Sequence, residues 1–372
     1  MQLSGLLGSA LSFVIRSVFK KTELPFLIVL NNKEEAAYYL NDLEQMIGEQ
    51  DVLFYPGSFR RPYQIEETDN ANVLLRAEVL NRINSRKKPA IIVTYPEALF
   101  EKVVTRKELD KNTLKVAVGD KISIDFINEV LFEYEFKRVD FITEPGEFSV
   151  RGGIVDVFSF SNDNPYRIEF FGDEVESIRT FDVATQLSIE TQKKITIIPN
   201  VENKFFQENR ESFLDYISAK TVIFIQNTED FLSQLDKQFG KAEEAFAKLS
   251  QEIKRSSPEQ SFLNQAEFIK RALDFSIVEL SSKAIFRTTK KIEFHIQPQP
   301  SFNKQFDLLL NNLNENHFNG YKNHLFCSND AQAKRFHDIF ETLDEANSEN
   351  IRKQYHTVVL PLFQGFIDEE NQ

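Results

Sequence analysis

Apolar residues from Leu11 to Phe19 recur at helical spacing, and the run FLIVL from Phe26 to Leu30 has the length of a strand. Ala36, Leu40, Leu43 and Ile47 then fall at i, i+4, i+7 and i+11, one helical stripe that Gly48 can close. DVLFY, from Asp51 to Tyr55, predicts a second strand. Thr68 or Asp69 can N-cap a helix with the stripe Val73, Ala77, Leu80 and Ile83, and AIIVT, from Ala90 to Thr94, predicts a third, buried strand. Such alternation over roughly the first 100 residues predicts a parallel sheet with right-handed crossovers.

The pattern changes after a helix that Ser123 can cap. KRVDFITEPGEFSVRGGIVDVFSFSNDNPYRIEFFGDEVESIRTFD alternates over short stretches divided by EPGE, SNDNP and FGDE, three turn clusters that predict antiparallel strands. In YRIEFF, period two sets Tyr166, Ile168 and Phe170 on one side and Arg167, Glu169 and Phe171 on the other. In EFSVR, Phe148 and Val150 share one side, while Glu147, Ser149 and Arg151 share the other. A polar face that carries a phenylalanine beside arginines has the composition of an interface hot spot. Alternating Arg and Glu across strands also makes an ordinary solvated sheet face.

Strand and helix alternate again from Val201, with TVIFI (Thr221 to Ile225) as a buried strand and Phe231 to Leu249 as a helical stretch. Ser256, Ser257 and Pro258 predict a loop, and Pro298 and Pro300 a linker. Beyond them come a helix with Phe306, Leu309, Leu310 and Leu313, the strand HLFC, a helix with Phe336, Ile339, Phe340 and Leu343, and the strand TVVL. Only two or three strands of that last sheet are supplied, as expected of a piece of a longer protein. The expected organisation is α/β: residues 1–113 and 200–299 form one discontinuous parallel-sheet domain, 114–199 an inserted antiparallel β-rich domain, and 300–372 a small α/β domain.

Composition narrows the chemistry. A net charge of −13 over 372 residues argues against a surface that grips nucleic acid throughout. The single cysteine, Cys327, excludes an internal disulfide and any zinc site built on cysteine pairs, and the five histidines lack ligand spacing. Cys327 reads as a small buried hydrophobe and His337 as a helix residue without a second ligand at i+4. No apolar run reaches the ~20 residues that span a bilayer, so no membrane role and a cytoplasmic location are expected.

SGLLGSALS, from Ser4 to Ser12, places Gly5 and Gly8 before a helix, as a phosphate loop does. Ser9 stands where such a loop has its lysine and Ala10 where it has its magnesium-binding hydroxyl. TVIFI, the strand best placed to supply a metal-binding carboxylate, ends in Gln226. With both requirements unmet, Gly5, Gly8, Ser9 and Gln226 describe a degenerate, inactive nucleotide site.

EPGEFSVRGGIVDVF followed by PYRIEFFGDEVESIRTFD closely resembles the antiparallel insert of the bacterial transcription-repair coupling factors, a family similar in turn to the damage-recognition protein UvrB. GLLGSALSF, FYPGSFRRPYQ, NVLLRAEVLNRI and VTYPEALF resemble the first part of that family's UvrB-like module, so the resemblance spans the chain. It implies a degenerate P-loop-like domain in two segments, an inserted β-rich domain that binds UvrA, and a small third α/β domain. It further implies a non-enzymatic chain without catalytic residues, metal or cofactor, since ATP and magnesium serve the motor of the full-length family member. RNA polymerase and DNA are partners of that member's other domains. Carried over by motif, the UvrA-binding residues are Arg151, Arg167 and Phe171, with Glu169 beside them. UvrB has a further arginine at the position of Ser149, and its extended DNA-clamping hairpin is replaced by the short YPGSFRRPYQIEETDN, where Arg60, Arg61 and Tyr63 can still touch phosphate.

Overall fold

A computed structural model describes residues 1–58, 70–85, 88–160, 162, 164–200, 210–248, 256–287, 289–343 and 354–370. In chain order its principal elements begin with β1 (Gln2–Ser4), α1 (Ala10–Thr22), β2 (Phe26–Val29), α2 (Lys33–Ile47), β3 (Val52–Phe54), α3 (Asn70–Ser85) and β4 (Ile91–Thr94). A β-rich stretch follows, with α4 (Ile124–Glu133), β5 (Lys137–Arg138), β6 (Glu147–Arg151), β7 (Ile154–Val157), β8 (Tyr166–Phe171), β9 (Glu174–Phe181) and β10 (Ser188–Thr191). Next are β11 (Val222–Gln226), α5 (Thr228–Ala247), β12 (Ser276–Leu280), β13 (Lys291–Glu293) and β14 (Ile296–Pro298). The last elements are α6 (Phe306–Phe318), β15 (Asn323–Cys327), α7 (Asp330–Leu343), β16 (Tyr355–Val359) and β17 (Phe366–Asp368).

Seven strands form one sheet in the order β13-β1-β12-β11-β2-β4-β3, and each pairing within it is parallel. β2 lies at its interior with Phe26, Leu27, Ile28 and Val29 fully buried, which is why this strand reads as an unbroken apolar run. α2 begins where the Asn32 side chain accepts the Glu35 N–H at 2.9 Å, and it ends at Gly48 with φ +115°. The N-cap residues Thr68 and Asp69 expected for α3 lie outside the described residues.

α3 buries an arginine. Arg76 is fully buried, lies over the Tyr55 ring at 4.4 Å and donates to the Pro56 carbonyl at 2.8 Å. Its guanidinium stands 3.3 Å from Glu101, whose carboxylate also accepts from the Ser58 N–H and hydroxyl. This pair fastens the chain leaving β3. Arg60, Arg61 and Tyr63 lie outside the described residues.

The second sheet is a six-stranded meander in the order β10-β9-β8-β7-β6-β5. Its pairings are antiparallel from β6 to β10, whereas β5 runs parallel to β6, contrary to the wholly antiparallel expectation. The eight residues between β5 and β6 loop back far enough to reverse the direction that a tight turn would impose. α4, capped by the Ser123 hydroxyl accepting the Phe126 N–H at 3.1 Å, covers the inner face with Ile127 and Leu131. One continuous core joins Val155 and Ile168 of this sheet to Ile28 and Phe224 of the first.

A separate small core of Leu309, Leu310, Leu313, Phe340 and Tyr355 lies between α6, α7 and the parallel pair β15–β16. Two proline-based expectations change. Ser257 and Pro258 start a short helix closed by a capping box with Gln260, and Pro298 belongs to β14, which pairs antiparallel with β17. Proline is tolerated there because β14 is an edge strand that need not donate on both sides.

Candidate functional site

Two tight hairpins build the outer face of the second sheet. Gly152 and Gly153 join β6 to β7, and Gly172 and Asp173 join β8 to β9, with Gly152 and Gly172 at φ +60° and +64°. Two-residue turns of this kind need positive φ and lock the strand register. The resulting register sets Asp156 directly between Ser149 on β6 and Arg167 on β8, and Arg167 opposite Arg179 on β9.

Asp156 organises this face. Its side chain is only 1% exposed, yet it receives a two-pronged contact from Arg167, at 2.7 Å from Nε to Oδ1 and 2.9 Å from Nη2 to Oδ2. Arg151 Nη2 reaches the same Oδ2 from the neighbouring strand. Arg167 also donates to the Gln186 side chain at 3.2 Å and lies 4.2 Å over the buried Phe181 ring. The hydrogen bond to Asp156 raises the Arg167 pKa further above its already high value, so the guanidinium stays charged. Glu169 accepts the Ser177 hydroxyl at 2.6 Å and pairs with Arg179; those contacts, led by Ser177, hold its carboxyl below the usual range.

Arg151 and Arg167 thus share one face and one counter-ion, with Glu169 on the same strand as Arg167. Phe171, near the β8–β9 turn, is 80% exposed. Glu147 and Ser149, expected on the open face, are instead buried: Glu147 accepts from Thr143 and Glu144 to close the EPGE turn, and Ser149 donates to the Asp140 carbonyl at 2.9 Å. The β5 side of the sheet folds over them. Asp156 and Phe141 escaped the sequence reading, although the alternation of IVDV already puts Asp156 on the polar side.

The glycine loop stands at the carboxyl end of the parallel sheet, where ligands of open α/β sheets bind. Gly5 has φ +77°, and Gly8 has φ +54°. Ser9 opens α1, but its N–H donates to the Gln364 carbonyl at 3.1 Å, and its hydroxyl accepts the Gln364 N–H at 3.2 Å. A Cβ on Gly8 would lie 3.0 Å from the Gly365 oxygen and 3.2 Å from that of Gln364. Next to them the Phe363 N–H donates to Asp42 at 2.9 Å, and the Phe363 ring stacks on Tyr38 with centroids 3.6 Å apart. Burial raises the Asp42 pKa, opposed by hydrogen bonds from Ser9, Phe363 and Ser12. Gln226, at the end of β11, accepts the Asn31 N–H at 3.3 Å and so ties two strand ends together.

Cys327 is buried at the end of β15, which pushes its thiol pKa up, and His337 faces the Tyr355 hydroxyl at 2.6 Å. Among the described residues no three His, Cys, Asp or Glu side chains stand together as metal ligands, and no helix is long and apolar enough to cross a membrane.

Fold and site together define an α/β protein with a second, mainly antiparallel sheet whose outer face displays clamped arginines and an exposed phenylalanine. Residues 114–203, which contain that sheet, match the family model of the UvrB interaction domain. The chain is similar to the transcription-repair-coupling factor of Bacillus subtilis (strain 168), with 32% identity over 218 residues, 58% of this chain and 18% of that protein. The factor of Rickettsia bellii is 30% identical over 204 residues, 55% of this chain and 18% of its own, and that of Escherichia coli K12 24% identical over 197, or 53% and 17%. The chain therefore spans less than a fifth of the length of these curated relatives.

Proposed function

We propose that this chain is a non-catalytic recruitment module of transcription-coupled nucleotide excision repair, which docks UvrA and delivers it to lesions where RNA polymerase has stalled. The observation that carries this reading is the coincidence of two independent features. The segment matching the UvrB interaction domain is the one whose outer face holds Arg151 and Arg167 on a shared buried carboxylate beside the exposed Phe171. Arginine and a projecting aromatic ring are the side chains that dominate interface energetics. Arg151, Arg167, Glu169 and Phe171 form the docking set, and contacts with RNA polymerase and DNA belong to other parts of the longer relatives.

The parallel-sheet part, residues 1–113 and 200–299, serves as a P-loop-like platform that has lost its nucleotide chemistry and uses no cofactor. Ser9 in the lysine position, Gln226 at the strand end and the Gln364 carbonyl on the Ser9 N–H all support that view. The second reading, an ATP-dependent DNA-binding repair enzyme of the UvrB kind, draws on the retained glycine turn and requires this chain to hydrolyse ATP in response to DNA.

Binding of the chain to UvrA, repeated with Arg167→Ala and with Phe171→Ala, tests the proposal. Each substitution is expected to cost about 2 kcal/mol or more. Absence of binding by the unsubstituted chain would refute the function, and wild-type affinity in both variants would refute the site.

A further inference from the structure

The outer face continues past the four docking residues. Phe141, just beyond β5, is 63% exposed, and the Arg151 guanidinium carbon lies 5.0 Å from its ring centroid. The same guanidinium reaches Asp156, which takes the fork of Arg167 from the other side. Phe141, Arg151, Asp156 and Arg167 therefore form one unbroken row of contacts across β5 to β8.

Three features of this row exceed what a solvated sheet face requires. A cation held over an aromatic ring and simultaneously on a carboxylate has few rotamers left, so little side-chain entropy remains to be lost on docking. Asp156 itself is buried and its two oxygens face the two arginines, so it acts through them and offers nothing to a partner directly. The Arg151 side chain, 38% exposed despite its contact with Asp156, keeps part of its guanidinium open to an incoming carboxylate. Phe141 and Phe171 supply the desolvating rings that hot-spot arginines need around them.

We infer that Phe141 is a second aromatic anchor of the docking face and that Asp156 is the positioning residue presenting Arg151 and Arg167 to a carboxylate-bearing partner surface with apolar recesses. This rests on the UvrA reading above and adds two residues that the family match does not assign. Phe141 binds directly. Asp156 governs how long the complex lasts.

Real-time binding to UvrA separates these roles when the full chain, Phe141→Ala, Asp156→Asn and Phe126→Ala are compared. Phe126 is 46% exposed on α4, which covers the inner face, and serves as the control. Phe141→Ala is expected to weaken binding about tenfold with an unchanged melting curve, whereas Phe126→Ala leaves affinity within about twofold. Asp156→Asn adds positive charge to the face, so its association rate is expected to hold or rise while dissociation quickens about tenfold. A merely structural lesion would instead shrink the competent fraction and leave the rate constants of the remainder untouched. If Asp156→Asn does not fold, the Phe141→Ala/Arg151→Ala double variant decides: coupled residues lose less together than the product of their separate losses. Wild-type affinity in Phe141→Ala, or strictly multiplicative losses in the double variant, overturns the inference while leaving the function standing. Failure of the unsubstituted chain to bind UvrA overturns the functional reading itself.

Discussion

Ser9 and Gln364, 355 residues apart, exchange two hydrogen bonds: the Ser9 N–H donates to the Gln364 carbonyl at 3.1 Å, and the Gln364 N–H to the Ser9 hydroxyl at 3.2 Å. A carbonyl oxygen thus stands on the first helical turn, where the dipole of α1 favours negative charge and where a phosphate loop would place its ligand. The loop is closed by the protein's own chain.

Gly8→Ala tests this closure. At φ +54° a Cβ is strained, and here it also meets two carbonyl oxygens at 3.0 and 3.2 Å. The variant is expected to lose about 1–2 kcal/mol of stability. Amide exchange at Ser9 and Gln364 should quicken, while affinity for UvrA, which the proposed docking mode assigns to the other sheet, should stay unchanged.

The buried Arg76–Glu101 pair, 3.3 Å apart, is expected to be the most sensitive polar site in the platform. Arg76→Met strands a carboxylate that is 4% exposed beside Ser58, and Glu101→Gln strands the guanidinium. Either change should cost about 3–5 kcal/mol in denaturant unfolding. The double variant should cost less than the two single losses added together, because no lone charge remains.

Asp42 and Glu169 are expected to tilt the pH dependence of stability in opposite directions. Burial raises the Asp42 pKa above 3.8, so the folded state holds the proton more tightly, and stability from this group falls as pH rises from 3.8 through the raised value. Hydrogen bonding, led by Ser177, lowers the Glu169 pKa below 4.5, so its contribution is complete above 4.5 and is lost as pH falls through the lowered value. Urea titrations across this range with Asp42→Asn and Glu169→Gln should each remove one slope, of opposite sign.

Arg167→Lys is expected to behave like Arg167→Ala in UvrA binding. The two contacts to Asp156, at 2.7 and 2.9 Å, use the planar fork of a guanidinium, which an ammonium cannot reproduce. An affinity near that of the wild type would show that charge alone suffices at this position.

Helices α1 to α3 and four of the seven parallel strands, β2, β3, β4 and β11, are legible in the chain because their signals are local, whereas β1, β12 and β13 are not among the strands that the apolar runs predict. A run such as FLIVL is fully buried on both faces of its strand, and the stripes of α2 and α3 follow helical period. Period two likewise separates Ile168 from Arg167 and Phe171 without reference to any other strand. The resemblance supplied the docking residues proposed above, and alternation placed Arg167, Glu169 and Phe171 on one polar side.

Period alone was insufficient wherever a partner from another segment decides burial. Glu147 and Ser149 have the same periodicity as Arg151 yet lie under the chain at Thr143 and Asp140, and Pro298 reads as linker until Phe366 pairs with it. The amino-acid sequence by itself determined the long apolar strands and striped helices, the two faces of β8 and the absence of a lysine from SGLLGSALS, since each depends on residue type and spacing over a few positions. Tertiary structure alone decided that one buried carboxylate, Asp156, serves both arginines, and that Gln364 closes the loop at Ser9. Those contacts arise from the register of neighbouring strands and the meeting of distant segments, which no local period encodes.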